Sequence, residues 1–218
     1  MTSKSYKGMH YIECDELKRY ASLRFLMSVR NIFTVPELKG RICELFGCDP
    51  GALVTVSQVH GNISEEIDDE YLAEYRRCSH SKPPDADAMI TEIKNTPLGI
   101  FTADCLPILL YAPGKGVISL IHAGKAGTAA QAALLTAEKM MLLHEVKPDE
   151  ITAVIGPSIG PCCYEADLWS ENERQLKSAG ISRIINPRLC TACHTETFFS
   201  YRREKGTPGR MITAAMLL

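Results

Sequence analysis

The sequence has no apolar run approaching the roughly 18–20 residues that a membrane-spanning helix needs. It has no basic excess either: 24 Lys and Arg against 26 Asp and Glu leave a formal charge of -2. That balance argues against a nucleic-acid partner, whose binding surfaces are basic. Residues 1–9 are polar and basic with no apolar stretch behind them, so no secretory signal is expected and the chain reads as cytoplasmic. Low-complexity tracts and internal repeats are missing. Histidine is scarce, with only His10, His60, His80, His122, His144 and His194.

What is present fits a globular protein. The chain has 218 residues, 45% of them hydrophobic and 23% charged, enough for one substantial core or at most two small domains. Nine cysteines, an odd number, fit reduced thiols better than a disulfide framework. Most of them read as small buried hydrophobes.

The apolar spacing of Leu17, Tyr20, Ala21, Leu23 and Leu26 predicts a helix from Asp15 to about Ser28. A second helix is expected to start at Pro36 and to end before Gly47. Short β-rich runs follow at 53–60, 88–91, 98–111 and 117–122, with a polar, proline-broken loop at 80–87. Alanine, leucine and methionine predict one long helix over 128–144. A strand at 151–155 then leads into a Gly/Pro-rich turn, and a helix near 167–179 ends at Gly180. An apolar run, 211–218, closes the chain. The pattern is a mixed α/β or α+β protein with helices expected at both ends and between strands.

Three β-like runs end in ligand-type residues: His60 in QVHG, Cys105 in TADC and His122 in HAG. A side chain at a strand end can project into a cleft while the backbone turns away. Two imidazoles and a thiolate form a common zinc set that leaves a fourth position open. Spacing alone leaves the bland readings standing. A histidine at a strand end is often structural, and a cysteine in an apolar strand is often core.

Several segments together carry a resemblance. QVHG, DADAMIT, TADCLPILL, HAG, IGPSIGPCCYE and CTACHTETFFSYRRE…GRM occur in order over residues 54–218. The set resembles the multicopper polyphenol oxidoreductases, or laccase-domain proteins, also called the YfiH-like purine nucleoside phosphorylase family. The resemblance implies a single layered α/β/β/α domain with mixed sheets spanning residues 1–218, in which 1–50 form a divergent helical part. It implies that His60, Cys105 and His122 bind zinc and are catalytic. It also implies phosphorolysis of adenosine, inosine, guanosine and 5′-methylthioadenosine, with deamination of adenosine as a second activity. The partners implied are small molecules, a purine nucleoside and phosphate, acting on a monomer or small homo-oligomer. Copper is the poorer metal, because a multicopper array needs more histidines than this chain offers.

Two departures from the family pattern touch the expected pocket. Lys125-Ala126-Gly127 follows HAG where most members carry Trp-Arg-Gly or Trp-Lys-Gly, and an FSTRxGGVS-like segment is lacking near the N-terminus. Arg24 and Arg30 are the residues that would replace its charge. Asp104 is a candidate to fix one imidazole, or else a buried turn carboxylate. Asp87, like Asp85, reads as a turn residue or a substrate contact. Lys125, Arg203 and Arg210 are candidate substrate ligands, with ion pairing as the alternative. A helix beginning near Thr128 would offer an anion site. Cys162, Cys163, Cys190 and Cys193 read as buried thiols, since adjacent cysteines chelate a tetrahedral ion poorly. Other chemistries also stand: a metal-dependent hydrolase or a cysteine amidase using Cys105 on a cell-wall precursor, phenol oxidation, or metal binding with little catalysis.

Overall fold

Two β-sheets stack face to face with helices on their outer sides in the computed structural model, which describes residues 1–77, 83–205 and 209–218. The first sheet is antiparallel. It orders β1 (Thr2–Tyr6), β2 (Met9–Glu13), β3 (Leu23–Ser28), β11 (Met211–Leu217) and β6 (Leu98–Thr102). The second is mixed and orders β10 (Arg183–Ile185), β9 (Thr152–Ile155), β7 (Leu106–Ala112), β8 (Val117–Ala123), β5 (Ala88–Thr91) and β4 (Ser64–Glu66). Its two edge strands pair in parallel and its inner strands antiparallel.

Strand alternation builds the layers. In β11, Ile212, Ala214 and Met216 face α1 (Val35–Phe46), while Met211, Ala215 and Leu217 point between the sheets. In β7, Leu109 and Tyr111 fill the space between the sheets. Ile108 and Leu110 pack towards α4 (Ala132–His144) and α5 (Leu168–Ser178). Both faces of these strands are covered, so they read as continuous apolar runs rather than as alternating ones. Each fully buried leucine or isoleucine contributes roughly 1.5–3 kcal/mol. This is the α/β/β/α layering that the resemblance implies.

The helix at Pro36 is found as expected. Thr34 and Glu37 form a capping box, and Gly47 closes the helix at φ 79. The helix expected over 15–28 is not found. A single turn of 3-10 helix, Asp15–Leu17, is followed by β3. There Leu23, Phe25 and Met27 face the second sheet while Leu26 faces α1, a period of two that the helical spacing of leucines concealed. Both ends of the chain are strands rather than helices.

Three further expectations change near the site. Residues 53–60 make only isolated bridges, Val54 to Leu98 and Ser57 to Asp85. The run 98–111 is broken into β6 and β7 at Asp104, whose φ is 89. The long helix over 128–144 is two helices, α3 (Lys125–Ala129) and α4, separated at Gln131 with φ 61. The expected loop at 80–87 begins, with His80, outside the described residues. A short helix, α2 (Asp69–Arg77), precedes it. Among the described residues no helix is long and apolar enough to cross a membrane.

Candidate metal centre and cleft

His60, Cys105 and His122 come together, with one potential ligand atom from each lying within 4.8 Å of the others. They arrive from three different places in the fold. His122 stands near the end of β8, and Cys105 occupies the break between β6 and β7. His60 sits in a turn at φ 63, with its imidazole edge-on to that of His122 at 4.9 Å between centroids.

Asp87 holds two of these residues. Its carboxylate accepts the backbone N–H groups of His60 at 3.0 Å and Gly61 at 2.6 Å, and meets Nδ1 of His122 at 2.7 Å. Its own carbonyl accepts the N–H of His122 at 2.7 Å. With Nδ1 held by Asp87, Nε2 of His122 is left for the open side of the group. Asp87 is fully buried, with its carboxylate oxygens taken up by His60, Gly61 and His122. It braces the turn that carries His60 and the ring of His122.

Asp104 does not touch an imidazole, contrary to the first expectation for it. Its carboxylate accepts Thr191 Oγ1 at 2.6 Å and the N–H of Arg202 at 2.7 Å, and its carbonyl accepts the N–H of Ile159 at 2.9 Å. The second reading, a buried turn carboxylate satisfied by local donors, is the observed one. Through it the Cys105 turn is tied to two loops.

The electrostatics follow this arrangement. Burial works against a charged His122, but its bonds to Asp87 and Cys105 outweigh that and raise its pKa to about 9. His60 is pushed down by burial and then by His122 and Arg210, with Asp87 opposing. Burial works against the Asp87 carboxylate, yet His122 and the two N–H donors keep it below its usual range.

Gly124, two residues after His122, is needed for close approach. A Cβ there would lie 2.9 Å from Cys105 Sγ and 3.1 Å from His60 Cδ2. Gly124→Ala should therefore displace both side chains at a cost of about 1–3 kcal/mol. A metal titration beside a denaturant melt checks this, and an unchanged metal affinity would contradict it.

The group lies in a cleft of about 1110 Å³ whose walls are aromatic and cationic. Phe101, Tyr164 and Tyr201 line it, as do Lys125, Arg202, Lys205 and Arg210. Lys125 and Arg202 both approach the Tyr164 ring and share Glu165, at 2.9 and 3.9 Å respectively. Aromatic surface thus comes from elsewhere than the Ala126 position, which also borders the cleft.

Lys125 and Arg210 reach the cleft as expected, but Arg203 does not line it. Its Nε donates to Ala192 O at 3.0 Å and its Nη2 to Cys163 Sγ at 3.5 Å. Arg202, its neighbour in the same motif, faces the cleft instead. Arg30 is committed to Glu204 at 2.6 Å and to the carbonyls of Thr195 and Phe198. Arg24 lies along a different depression. The helix following HAG starts at Lys125 and runs only five residues, too short for the anion site expected of a helix from Thr128. Thr128 is buried and bonded to Asn172 and Gln175. The four cysteines expected to be buried thiols form a second group, described below, in which only Cys190 is buried while Cys162 and Cys193 are exposed.

The sequence model of the family described as multi-copper polyphenol oxidoreductase laccase matches residues 19–167 and 165–218. Purine nucleoside phosphorylase YlmD of Geobacillus stearothermophilus is 31% identical over 226 residues, covering 88% of this chain and 82% of that protein. Purine nucleoside phosphorylase YfiH of Shigella flexneri is 29% identical over 197 residues, covering 78% of this chain and 75% of that protein. The crystal structure of Bacillus licheniformis hypothetical protein YfiH superposes with a TM-score of 0.86 at 23% identity. It covers 99% of each chain. Matched from residue 19 to residue 218, the chain belongs to the YfiH-like, multi-copper polyphenol oxidoreductase laccase family.

Proposed function

We propose that this protein is a zinc-dependent purine nucleoside phosphorylase, with adenosine deamination as a second activity of the same centre. The observation that carries the reading is the His60, Cys105 and His122 group, braced by Asp87, in a cleft lined also by aromatic rings and cations. The names of the relatives in Geobacillus stearothermophilus and Shigella flexneri support the same class.

The donor set of two nitrogens and one sulfur suits zinc, and its compactness suits one ion. No other described histidine lines the cleft, which weighs against a multicopper array and phenol oxidation. A zinc ion there would supply a Lewis acid with an open position, which can activate water for deamination or stabilise negative charge.

The chain's own residues account for the rest. In phosphorolysis the bond from the ribose C1′ to the base nitrogen breaks, and a bond from C1′ to a phosphate oxygen forms. Lys125, Arg202 and Arg210 offer cations to the phosphate, and the guanidinium forks suit its oxygens. Phe101, Tyr164 and Tyr201 offer faces against which a purine stacks. Asp87 keeps the His122 ring oriented, while Asp104 holds the Cys105 turn in place.

Arg210→Ala should raise KM for phosphate by about 10-fold or more with kcat much less affected, because a charge-assisted hydrogen bond is worth roughly 1.5–3 kcal/mol. Steady-state kinetics with phosphate as the varied substrate measure this. An unchanged KM would remove Arg210 from the phosphate site.

A second reading has its own observation. Asp87, His122 and Cys105 stand as carboxylate, imidazole and thiol in sequence, the arrangement of a cysteine nucleophile with its base. It fits a cysteine amidase acting on a cell-wall precursor. Rapid alkylation of Cys105 with metal still bound, together with silence towards adenosine and phosphate, would favour it. Release of ribose 1-phosphate and adenine favours the first reading.

A further inference from the structure

A second cluster of thiols lies beside the cleft without belonging to it. Cys162, Cys163, Cys190 and Cys193 place their sulfurs within 4.8 Å of one another. Cys193 Sγ is 3.5 Å from both Cys162 Sγ and Cys163 Sγ. A disulfide requires about 2.05 Å, so these are separate thiols. Four sulfurs at about 2.3 Å from one zinc ion stand about 3.8 Å apart, close to the separations seen.

Backbone pairing sets this spacing. Ser158 and Cys190 form a parallel bridge, with Ser158 donating to Leu189 O and Thr191 donating to Ser158 O. The two cysteine-bearing turns are therefore fastened together independently of any ion. Cys163 N–H closes one turn on Gly160 O at 2.9 Å, and His194 N–H closes the other on Cys190 O at 3.2 Å. Cys190 and Cys193 have the two-residue separation of zinc-chelating turns. The expectation that adjacent cysteines chelate a tetrahedral ion poorly is offset here, since both sulfurs meet Cys193.

Two of the four sulfurs have donors that suit a thiolate. The N–H of Gly160 donates to Cys190 Sγ at 3.3 Å, and Arg203 brings its guanidinium to Cys163 Sγ at 3.5 Å while holding Ala192 O. Donors and a cation of this kind offset the charge that four thiolates carry around a divalent ion.

We propose that Cys162, Cys163, Cys190 and Cys193 bind one zinc ion in a closed, structural tetrathiolate site that fixes the wall of the cleft. Cys163 is followed directly by Tyr164, which lines the cleft, and by Glu165, which holds Lys125 and Arg202. Thr191, between the other two cysteines, donates to Asp104 beside Cys105. An ion joining the two turns therefore fastens the substrate-facing wall to the turn that carries Cys105. Arg203 is a positioning residue for this second site. The proposal is independent of the chemistry assigned to the cleft.

The test is zinc content per chain in wild type, in His60→Ala and in the double variant Cys190→Ser/Cys193→Ser, each loaded with Zn²⁺ and desalted. Two ions in wild type and one in each variant are expected. Loading with Co²⁺ should give the strong charge-transfer and ligand-field bands of a tetrathiolate centre, retained in His60→Ala and lost in the double variant. If the double variant does not fold, cobalt-loaded wild type and His60→Ala still decide the matter. Absence of the tetrathiolate bands there, an unchanged zinc content in a folded double variant, or a Cys162–Cys193 disulfide in the purified protein overturns the proposal. Loss of one ion in His60→Ala alone would leave the cleft centre standing and remove this one.

Discussion

Replacing Asp87 with alanine is expected to weaken metal binding about 10–100-fold and to destabilise the protein by about 3–5 kcal/mol. Both effects have the same origin. The carboxylate is fully buried and meets three groups, the N–H of His60, the N–H of Gly61 and Nδ1 of His122. Removing it leaves the imidazole of His122 buried without its partner and frees the turn that presents His60. Breaking such a pair costs more than the pair contributes, because the remaining charge stays desolvated. Asp87→Asn keeps the shape but sets an amide N–H against donors, so it should fall between wild type and alanine. Asp104→Ala is the informative control. It should disturb the loops carrying Thr191 and Arg202 while leaving His60 and His122 in place. Metal titration and denaturant unfolding of the three variants separate the two aspartates. Wild-type metal affinity in Asp87→Ala would remove it as the brace.

Cys105→Ala should abolish high-affinity metal binding at the cleft and lower phosphorolysis at least about 100-fold. A Lewis acid contributes several kcal/mol to such a reaction, and each ~1.4 kcal/mol is a factor of ten. The fold should survive, because Cys105 is only half-buried and lies in a turn. Its neighbour Asp104 makes the connections that hold that turn. Cys105→Ser tests the alternative role: an oxygen nucleophile without metal loss would retain some turnover under the amidase reading. A loss of metal without unfolding supports the ligand role, as measured by metal analysis and circular dichroism on the same samples.

The candidate ligands were legible in the sequence because three separated motifs each placed a ligand-type residue at the end of an apolar run. Their convergence came from the ordered resemblance rather than from spacing. The helix starting at Pro36 and ending at Gly47 was legible because caps are local chemistry. The strand at 23–28 was not, because Leu23 and Leu26 satisfy a helical spacing as readily as a strand with both faces buried. The break at Gln131 carries no glycine or proline to announce it.

The aspartates were exchanged for a physical reason. Asp104 adjoins Cys105 in the chain, whereas Asp87 reaches His122 only through the pairing of β5 with β8, which brings Ala88 opposite Ile121. Consecutive arginines in a turn point different ways, and nothing local says which of Arg202 and Arg203 meets the cleft. The four cysteines lie in two segments joined by the Ser158–Cys190 bridge, a long-range pairing invisible from either segment alone.

Purine phosphorolysis is proposed for a metal centre at His60, Cys105 and His122. The direct test incubates zinc-loaded wild type and Cys105→Ala with adenosine, with and without phosphate, and follows ribose 1-phosphate and adenine. Phosphate-dependent formation of both products by wild type, and at least about 100-fold less by the variant, is the result expected. No phosphate-dependent product from fully zinc-loaded wild type, or equal rates from the two proteins, would contradict it.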